Sequence, residues 1–250
     1  MTDDSGVDLD RLAAAYSHRG EAAAALRAVQ AADATHLGPA MLAVDVGGGD
    51  GRHAAVFSRR GATALVVDRS QAMARAARAS GVSAVVGDGA ALPLADGTAD
   101  LVYFHLSIHH GPAEVWLAEA GRIVRPGGRV WVWTLSREHL RTSFLARWFP
   151  RVAELDEQRF PDPDDLAAAM RRLGLIDLEQ EAVTEEVTRS AGAWVAAVRA
   201  GFVSTLHLLD PAEIEAGLAA FTVAHPDAAA PVRYSLGFRR VSAMRPSLPS

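Results

Sequence analysis

The stretch VDVGGGDGR, residues 44–52, joins an apolar run to a run of helix-forming residues. Its glycines at 47, 49 and 51 permit positive φ angles and let a ligand pack against bare backbone, where a Cβ atom would collide. The dinucleotide fingerprint G-x-G-x-x-G, counted from Gly47, requires a glycine at position 52, which is Arg52. The spacing is instead Asp-x-Gly-x-Gly-x-Gly. We therefore predict a strand, a ligand-binding loop and a helix that differ from the dehydrogenase pattern.

Short apolar runs alternate with helix-forming segments on both sides of this loop. The apolar runs are MLAVDV, ALVVD, SAVVGD, ADLVYFHL and RVWVWTL, and helices are expected over His53 to Arg60, Gln71 to Ala79 and Ala113 to Val124. Such alternation is typical of a parallel sheet with crossover helices. The pattern predicts five βα-type units by about residue 135.

The remainder of the chain is more helical. Residues 8–36 form a helical preamble, residues 136–163 have a mixed pattern, and a helix ending at Leu173 precedes a strand near 176–183. Two amphipathic segments, near 191–208 and 211–224, come before the alternating run PVRYSLGFRRVSAM, which is expected to be the last strand. We predict an N-terminal helical lid over residues 1–38. One domain over residues 39–250 follows, with core motifs at 40–135 and an insertion with substrate-side elements at 136–225.

Composition excludes several classes of function. The 250 residues include 25 Lys and Arg, 30 Asp and Glu and no Cys, so that the formal net charge is −5. Disulfides, thiolate metal sites and Cys nucleophiles are excluded, and the basic excess of a nucleic-acid-binding protein is missing. The acidic N-terminus is unlike an export signal, and no apolar run reaches membrane-spanning length. We expect a cytoplasmic protein with neither nucleic acid nor membrane as partner.

Acidic residues follow the glycine loop at the ends of the next two strands. Asp68 ends ALVVD, where a carboxylate can take two hydrogen bonds from ribose hydroxyls, and Asp88 ends the third strand, where it can accept one from an adenine amine. The first acid, Asp45, can accept from loop amides or act through water on an ammonium group. Three acids at three successive strand ends favour a nucleoside lying across the switch point of the sheet.

These residues resemble the class I S-adenosylmethionine-dependent methyltransferases, in the branch with ubiquinone/menaquinone-biosynthesis-like small-molecule enzymes. The motifs are VDVGGGDG, LVVDRS, VVGDGAALPLADGTADLV and RIVRPGGRVWVW, over roughly residues 40–135. The resemblance implies an α/β, Rossmann-like sheet of seven mostly parallel strands with helices on both faces and a final antiparallel hairpin. It also implies S-adenosyl-L-methionine as cofactor and S-adenosyl-L-homocysteine as product.

The family assigns roles to individual residues of this chain. The loop from Gly47 through Gly49 to Gly51 would lie under the methionine part of the cofactor, and Asp68 would hold the ribose. Asp88 would hold the adenine amine, Gly89 or Ala90 would offer a backbone amide to the ring, and His105 would lie beside the methionine part. Arg69 occupies the position after Asp68, where the family often has a bulky or hydrophobic residue. It suggests either a ribose phosphate ligand or a solvated side chain.

The residues that contact the methyl acceptor are predicted from the segment after the fourth strand. His109 or His110 can remove a proton from a substrate at neutral pH, although His110 can equally cap the next helix and His109 can merely line a pocket. No metal site is expected from these histidines. The expected walls of the substrate pocket are Tyr16, His18, Phe144 and Trp148.

Three functions are compatible with this sequence. The favoured one is O-, N- or C-methylation of a small molecule in specialised metabolism, by a monomer or homodimer. The loop after the fourth strand lacks the Asn/Asp-Pro-Pro-aromatic pattern of enzymes that methylate nucleobase amines. The alternatives are an NAD(P)-dependent oxidoreductase and a non-catalytic adenosylmethionine-binding protein.

Overall fold

The computed structural model describes residues 6–14 and 22–247. The strands are β1 (Leu42–Val46), β2 (Thr63–Asp68), β3 (Ser83–Val86), β4 (Ala99–His105), β5 (Val124–Leu135), β6 (Ile176–Ser190) and β7 (Pro231–Met244). The helices are α1 (Leu9–Ala14), α2 (Ala22–Ala34), α3 (Arg52–Arg59), α4 (Gln71–Ala79), α5 (Ala113–Ile123), α6 (Arg137–Thr142), α7 (Phe144–Trp148), α8 (Pro150–Arg159), α9 (Pro163–Arg172), α10 (Ala191–Ala200) and α11 (Pro211–Ala224). Within these described ranges, no helix is both long and apolar enough to cross a membrane.

The seven strands form one sheet in the order β3-β2-β1-β4-β5-β7-β6. The first five strands pair in parallel, and β7 runs antiparallel to both β5 and β6. The expected seven-stranded, mostly parallel sheet is therefore confirmed. The order reverses between β1 and β4, so that their carboxyl ends border a crevice that can receive a ligand.

The strand expected near 176–183 continues to Ser190, and the run expected as the last strand forms β7 from Pro231 to Met244. Between the two strands lie α10, a 3-10 turn over Ser204–Leu208 and α11. The 3-10 turn ends the amphipathic segment that was expected to continue as helix to residue 208. Long pairing of β6 with β7 supports these helices beyond the edge of the parallel sheet.

Two apolar layers cover the two faces of the sheet. Successive side chains of a strand point to opposite faces, so that Val44 packs with α5 and α9 while Ala43 packs with α2 and α3. Trp131 and Trp133 of β5 are fully buried on the second face and form part of its apolar layer. Burial on both faces holds the strand ends rigidly, and the site residues project from those ends.

The mixed segment after β5 folds into three short helices. Ser136 and Ser143 accept hydrogen bonds from the amides of His139 and Ala146, which fixes the starts of α6 and α7. The second and third of these helices, α7 and α8, share a third apolar cluster around Trp194 with α10 and α11. The insertion therefore has its own small core and forms a wall beside the sheet.

In the described part of the N-terminal preamble, the chain forms the helices α1 and α2. In α1, the Asp10 carboxylate accepts hydrogen bonds from the Ser70 hydroxyl at 2.5 Å and the Ala72 amide at 3.2 Å. This contact attaches α1 to the start of α4. Tyr16 and His18, expected in the substrate pocket, lie outside the described residues.

Candidate active site

The glycine loop has the predicted backbone geometry. Gly47, Gly49 and Gly51 have φ angles of +66°, +58° and +81°, all in the left-handed region. A Cβ atom on Gly47 would lie 2.5 Å from the Cβ of Ser107, so that this position requires glycine on steric grounds as well. Gly51 precedes α3 and packs toward α4, whereas Gly47 and Gly49 line a cavity.

This first cavity, called here the cofactor cavity, contains about 540 Å³ of empty space, part of it open to solvent, at the carboxyl ends of β1, β2 and β4. Its lining residues are Leu9, Leu12, Gly47, Gly49, Val67, Asp68, Arg69, Met73, Gly87, Gly89, Leu106, Ser107, His110 and Trp116. A Cβ atom on Gly89 would lie 2.4 Å from the Trp116 ring. Bare backbone, one buried carboxylate and apolar walls fit a nucleoside attached to an amino acid.

Asp68 is oriented by backbone amides at the floor of the cofactor cavity. Its Oδ2 accepts a hydrogen bond from the Gly49 amide at 2.9 Å, and its Oδ1 accepts one from the Ser70 amide at 2.8 Å. Burial raises the pKa of Asp68, and these two amides act in the opposite direction. Because a carboxylate has about four lone-pair positions, Asp68 still has capacity for two ribose hydroxyls.

Asp88 and Arg69 form an ion pair beside this cavity. Arg69 Nη2 donates to Asp88 Oδ2 at 2.6 Å, and the Ala90 amide donates to Asp88 Oδ1 at 2.8 Å. Burial raises the pKa of Asp88, but the Ala90 amide and Arg69 outweigh it and the pKa is lowered. Arg69 is paired with Asp88 and only 11% exposed, so that the expectation of a solvated side chain is wrong. Neither Asp88 nor Ala90 lines the cavity, and their contacts with a cofactor stay predictions.

Asp45 lies beneath the loop and lines neither cavity. A Cβ atom on Gly48 would lie 2.6 Å from the Asp45 Cγ, so that the loop rests directly on this carboxyl group. Burial and the nearby Asp68 raise the pKa of Asp45 to about 8, and burial lowers the pKa of His53 to about 3. His53 Nδ1 is 3.9 Å from Asp45 Oδ2. At neutral pH both groups are therefore mainly uncharged.

The chain after β4 forms a turn that separates two cavities. Leu106 has a φ angle of +51°, which is strained for a leucine. The Ser107 hydroxyl donates to the Val46 carbonyl at 2.6 Å, and Arg69 Nη1 donates to the His110 carbonyl at 3.1 Å. These bonds attach the turn to the ends of β1 and β2. Leu106 and His110 line both cavities.

The second cavity, called here the acceptor cavity, contains about 1930 Å³ of empty space, part of it open to solvent. It lies between the sheet and the helical insertion. Its apolar and aromatic lining residues are Leu106, Leu135, Phe144, Leu145, Phe160, Val187, Trp194, Phe202, Val203, Tyr234, Leu236 and Phe238. A pocket of this composition suits a ring-bearing, largely apolar molecule.

The structure separates the predicted histidines. His105 lines the acceptor cavity rather than the cofactor cavity, and Arg27 Nε donates to its Nε2 at 2.8 Å. His109 stacks on Phe160, with ring centroids 3.8 Å apart, and lines the acceptor cavity. His110 alone of the three also lines the cofactor cavity. Within the described residues, no group of three His, Asp or Glu side chains is arranged to hold a metal ion.

The two aromatic residues predicted for the substrate pocket have different positions. Phe144 lines the acceptor cavity and stacks on Tyr234, with centroids 5.0 Å apart. Trp148 does not line it, because its ring packs against Phe221 in the core of the insertion.

Sequence reasoning missed several lining residues. Leu9 and Leu12 of α1 cover the cofactor cavity, and the only sequence signal for them is their helical spacing. Asp156 and Thr205 line the acceptor cavity from the insertion. No motif marks these two residues, which are 49 positions apart and meet only through folding.

Known proteins share both the sequence pattern and the fold. Residues 44–132 match the family described as Methyltransferase domain. A demethylmenaquinone methyltransferase of Corynebacterium kroppenstedtii is 34% identical over 124 residues, 47% of this chain and 54% of that protein. The same enzyme of Corynebacterium efficiens is 30% identical over 163 residues, 56% of this chain and 70% of that protein. The chain thus spans about half the length of the first relative and over two thirds of the second.

A solved structure from Anabaena variabilis, described as a methyltransferase from an antibiotic biosynthesis pathway, superposes with a TM-score of 0.67 and 22% identity. The superposition covers 87% of this chain and 96% of that one. This likeness concerns the fold, whereas the relative from Corynebacterium efficiens adds the sequence relationship. The chain belongs to the class I S-adenosylmethionine-dependent methyltransferases and is similar to members that act in quinone biosynthesis.

Proposed function

We propose that this protein transfers a methyl group from S-adenosyl-L-methionine to a small, ring-bearing and largely apolar acceptor. The observation that supports the proposal is the meeting of two cavities at Leu106 and His110. One cavity has bare glycine backbone and a buried carboxylate, and the other has aromatic walls. A methyl donor and an acceptor in these cavities would face each other across a turn that is hydrogen-bonded to the sheet.

The residues of the cofactor cavity have separate roles in this proposal. Asp68 binds the ribose hydroxyls, and Gly47 and Gly49 allow the methionine part to approach the backbone. Asp88 takes the adenine amine on its exposed side while Arg69 holds the carboxylate in place. When bound, the sulfonium group of the cofactor supplies an already activated methyl group. The protein therefore has to align the acceptor and exclude water.

His110 is the proposed general base for acceptors that need one. It is the predicted histidine that borders both cavities, so that its side chain is near the junction where transfer would occur. Arg69 and the Ser107 carbonyl bind the backbone of His110, which restrains the turn. His109, stacked on Phe160, is assigned to the wall of the acceptor cavity. Acceptors that react as anions would not require the base.

The acceptor class follows from the lining and from the relatives. The acceptor cavity is rich in aromatic side chains, and the two Corynebacterium relatives are demethylmenaquinone methyltransferases. We infer a hydroquinone-like or phenolic ring, methylated on carbon or oxygen, with N-methylation as the third possibility. A cytoplasmic location, a monomer or homodimer and the absence of a nucleic-acid partner stay predictions.

Calorimetric titration with S-adenosyl-L-homocysteine, S-adenosyl-L-methionine and NADPH tests the cofactor. We expect binding of both adenosyl ligands and none of NADPH. Asp68→Ala should weaken the binding of S-adenosyl-L-homocysteine at least tenfold, because hydrogen bonds to a charged group contribute about 1.5–3 kcal/mol. Binding of NADPH in place of the adenosyl ligands would instead support the oxidoreductase alternative.

Formation of S-adenosyl-L-homocysteine in the presence of reduced demethylmenaquinone analogues and simple phenols tests the transfer. His110→Gln should lower kcat with little change in cofactor affinity, and His109→Gln should mainly raise KM. Tight cofactor binding without transfer to any acceptor would favour the non-catalytic alternative.

A further inference from the structure

A buried polar cluster lies in the wall of the acceptor cavity that the helical insertion provides. Asp156 of α8 faces Ser204 and Thr205, which begin the 3-10 turn after α10. The Thr205 hydroxyl donates to Asp156 Oδ1. Arg159 donates to the Thr205 hydroxyl at 2.7 Å and to the Ser204 hydroxyl at 3.1 Å. The cluster therefore holds the carboxylate of Asp156 in one orientation.

Asp156 retains an oxygen for a ligand. The residue is only 9% exposed, yet it lines the acceptor cavity. Among the described residues, Oδ2 accepts no hydrogen bond, whereas Oδ1 is taken by Thr205. Oδ2 is not among the buried polar atoms of the described residues that have no partner, so that it keeps accessible surface at the cavity wall. A hydrogen-bond donor on a molecule in the cavity can therefore bind to it.

Asp156 is also close to the proposed site of transfer. The Phe160 amide donates to the Asp156 carbonyl at 2.9 Å, so that the two residues are one helical turn apart. The Phe160 ring stacks on His109, and His109 lies against His110, with ring centroids 4.1 Å apart. One turn of helix rises about 5.4 Å. A ring system beside Phe160 could thus reach both His110 and Asp156.

The charges around the cavity favour a neutral donor over a cation. The charged residues that line it are Arg27, Arg52, Arg189, Asp156, Glu185 and Glu186, three of each sign. Arg27 is paired with Glu185 at 2.6 Å. Arg159 Nη1 is 3.9 Å from Asp156 Oδ1, so that a ligand cation beside Asp156 would meet a positive charge already present. A neutral hydroxyl group on the ligand supplies a hydrogen-bond donor without this repulsion.

We propose that Asp156 determines acceptor specificity by accepting a hydrogen bond from an acceptor hydroxyl group at a distance from the methylated atom. The inference rests on the proposed function, since it takes the second cavity as the acceptor site. Asp156 then selects hydroxylated rings over rings that carry a methyl group or hydrogen at the same position. Its role is in binding and positioning, while His110 remains the proposed base.

A matched pair of probes, 2-naphthol and 2-methylnaphthalene, tests the inference by binding alone. Each is titrated into the 250-residue protein saturated with S-adenosyl-L-homocysteine, and the ratio of the two Kd values is measured. We expect the wild type to prefer 2-naphthol about tenfold, equal to about 1.4 kcal/mol. Asp156→Ala should abolish the preference, and Asp156→Asn, which retains the oxygen for Thr205, should reduce it to about threefold. Glu154→Gln, at an exposed carboxylate of α8 that does not line the cavity, should leave it unchanged.

Two outcomes would overturn the inference. One is an unchanged Kd ratio in both Asp156 variants. The other is loss of S-adenosyl-L-homocysteine binding in both variants, which would show that Asp156 supports the fold rather than the acceptor. Failure of the proposed function has a different signature: the wild type would retain its 2-naphthol preference but release no S-adenosyl-L-homocysteine with any methyl acceptor.

Discussion

Replacement of Asp45 by Asn should change how the stability of this protein depends on pH. Asp45 is completely buried beneath the glycine loop, and burial together with Asp68 raises its pKa from 3.8 to about 8. Between these two values the folded state holds a proton on Asp45 that the unfolded state has released. The free energy of unfolding of the wild type therefore decreases as pH rises through this window, and this contribution is constant above about pH 8.

The expected change in the free energy of unfolding follows from the shift in the pKa of Asp45. One pKa unit corresponds to about 1.4 kcal/mol, so that Asp45 lowers the free energy of unfolding by about 4 kcal/mol between pH 5 and pH 8. Asp45→Asn has the same shape and no titrating group. We expect the free energy of unfolding of the variant, minus that of the wild type, to rise by about 4 kcal/mol over this range. The opposite contribution of His53, whose pKa is lowered, cancels because both proteins contain it.

Urea unfolding followed by tryptophan fluorescence at half-unit pH intervals measures this difference. Asp177→Asn, at an exposed position, controls for the general effect of losing one negative charge. A difference between Asp45→Asn and the wild type that stays constant from pH 5 to pH 8 would refute the reasoning. Asp45 would then be ionised in the folded protein, and the loop would rest on a charged group.

Three further substitutions test the walls of the cofactor cavity. Asp10→Ala removes the bonds from α1 to Ser70 and the start of α4, and should lower stability by about 1 kcal/mol and accelerate release of S-adenosyl-L-homocysteine in stopped-flow measurements. Gly89→Ala places a Cβ atom 2.4 Å from the Trp116 ring, and should destabilise the protein by about 1–3 kcal/mol and weaken cofactor binding in calorimetry. Ser107→Ala leaves the carbonyl at the end of β1 without its donor, and should lower the free energy of unfolding by about 1 kcal/mol without changing the fold seen by circular dichroism. An unchanged release rate for the first variant, or unchanged stability for the other two, would contradict the assigned contacts.

The glycine loop and the parallel strands were predictable because their signals are local. A positive φ angle favours glycine wherever it occurs, so that Gly47 and Gly49 mark the turn without knowledge of the rest of the chain. Strand length and apolar runs likewise fix the sheet, since strands buried on both faces must be apolar throughout. The placement of Asp68 at the carboxyl end of β2 follows from the same pattern, because parallel strands end at one edge.

The positions of the residues that line the acceptor cavity were harder to predict, because they depend on contacts between distant parts of the chain. His105 was predicted beside the cofactor, but its ring turns toward Arg27, 78 positions earlier, and lines the other cavity. Trp148 is an aromatic residue that was predicted to line the substrate pocket, yet it packs into the core of the insertion. Apolar side chains carry the same sequence signal in a core and in a pocket, since both environments exclude water.

The sequence by itself determined the sheet, the glycine loop and the acid that ends β2, because each depends on backbone preferences within a few residues. Only the tertiary structure decided which side chains meet across the cavities. The pairing of Asp156 with Thr205 and the stacking of His109 on Phe160 join segments about 50 residues apart. Such contacts are set by how helices pack against the sheet, and a local pattern contains no information about that packing.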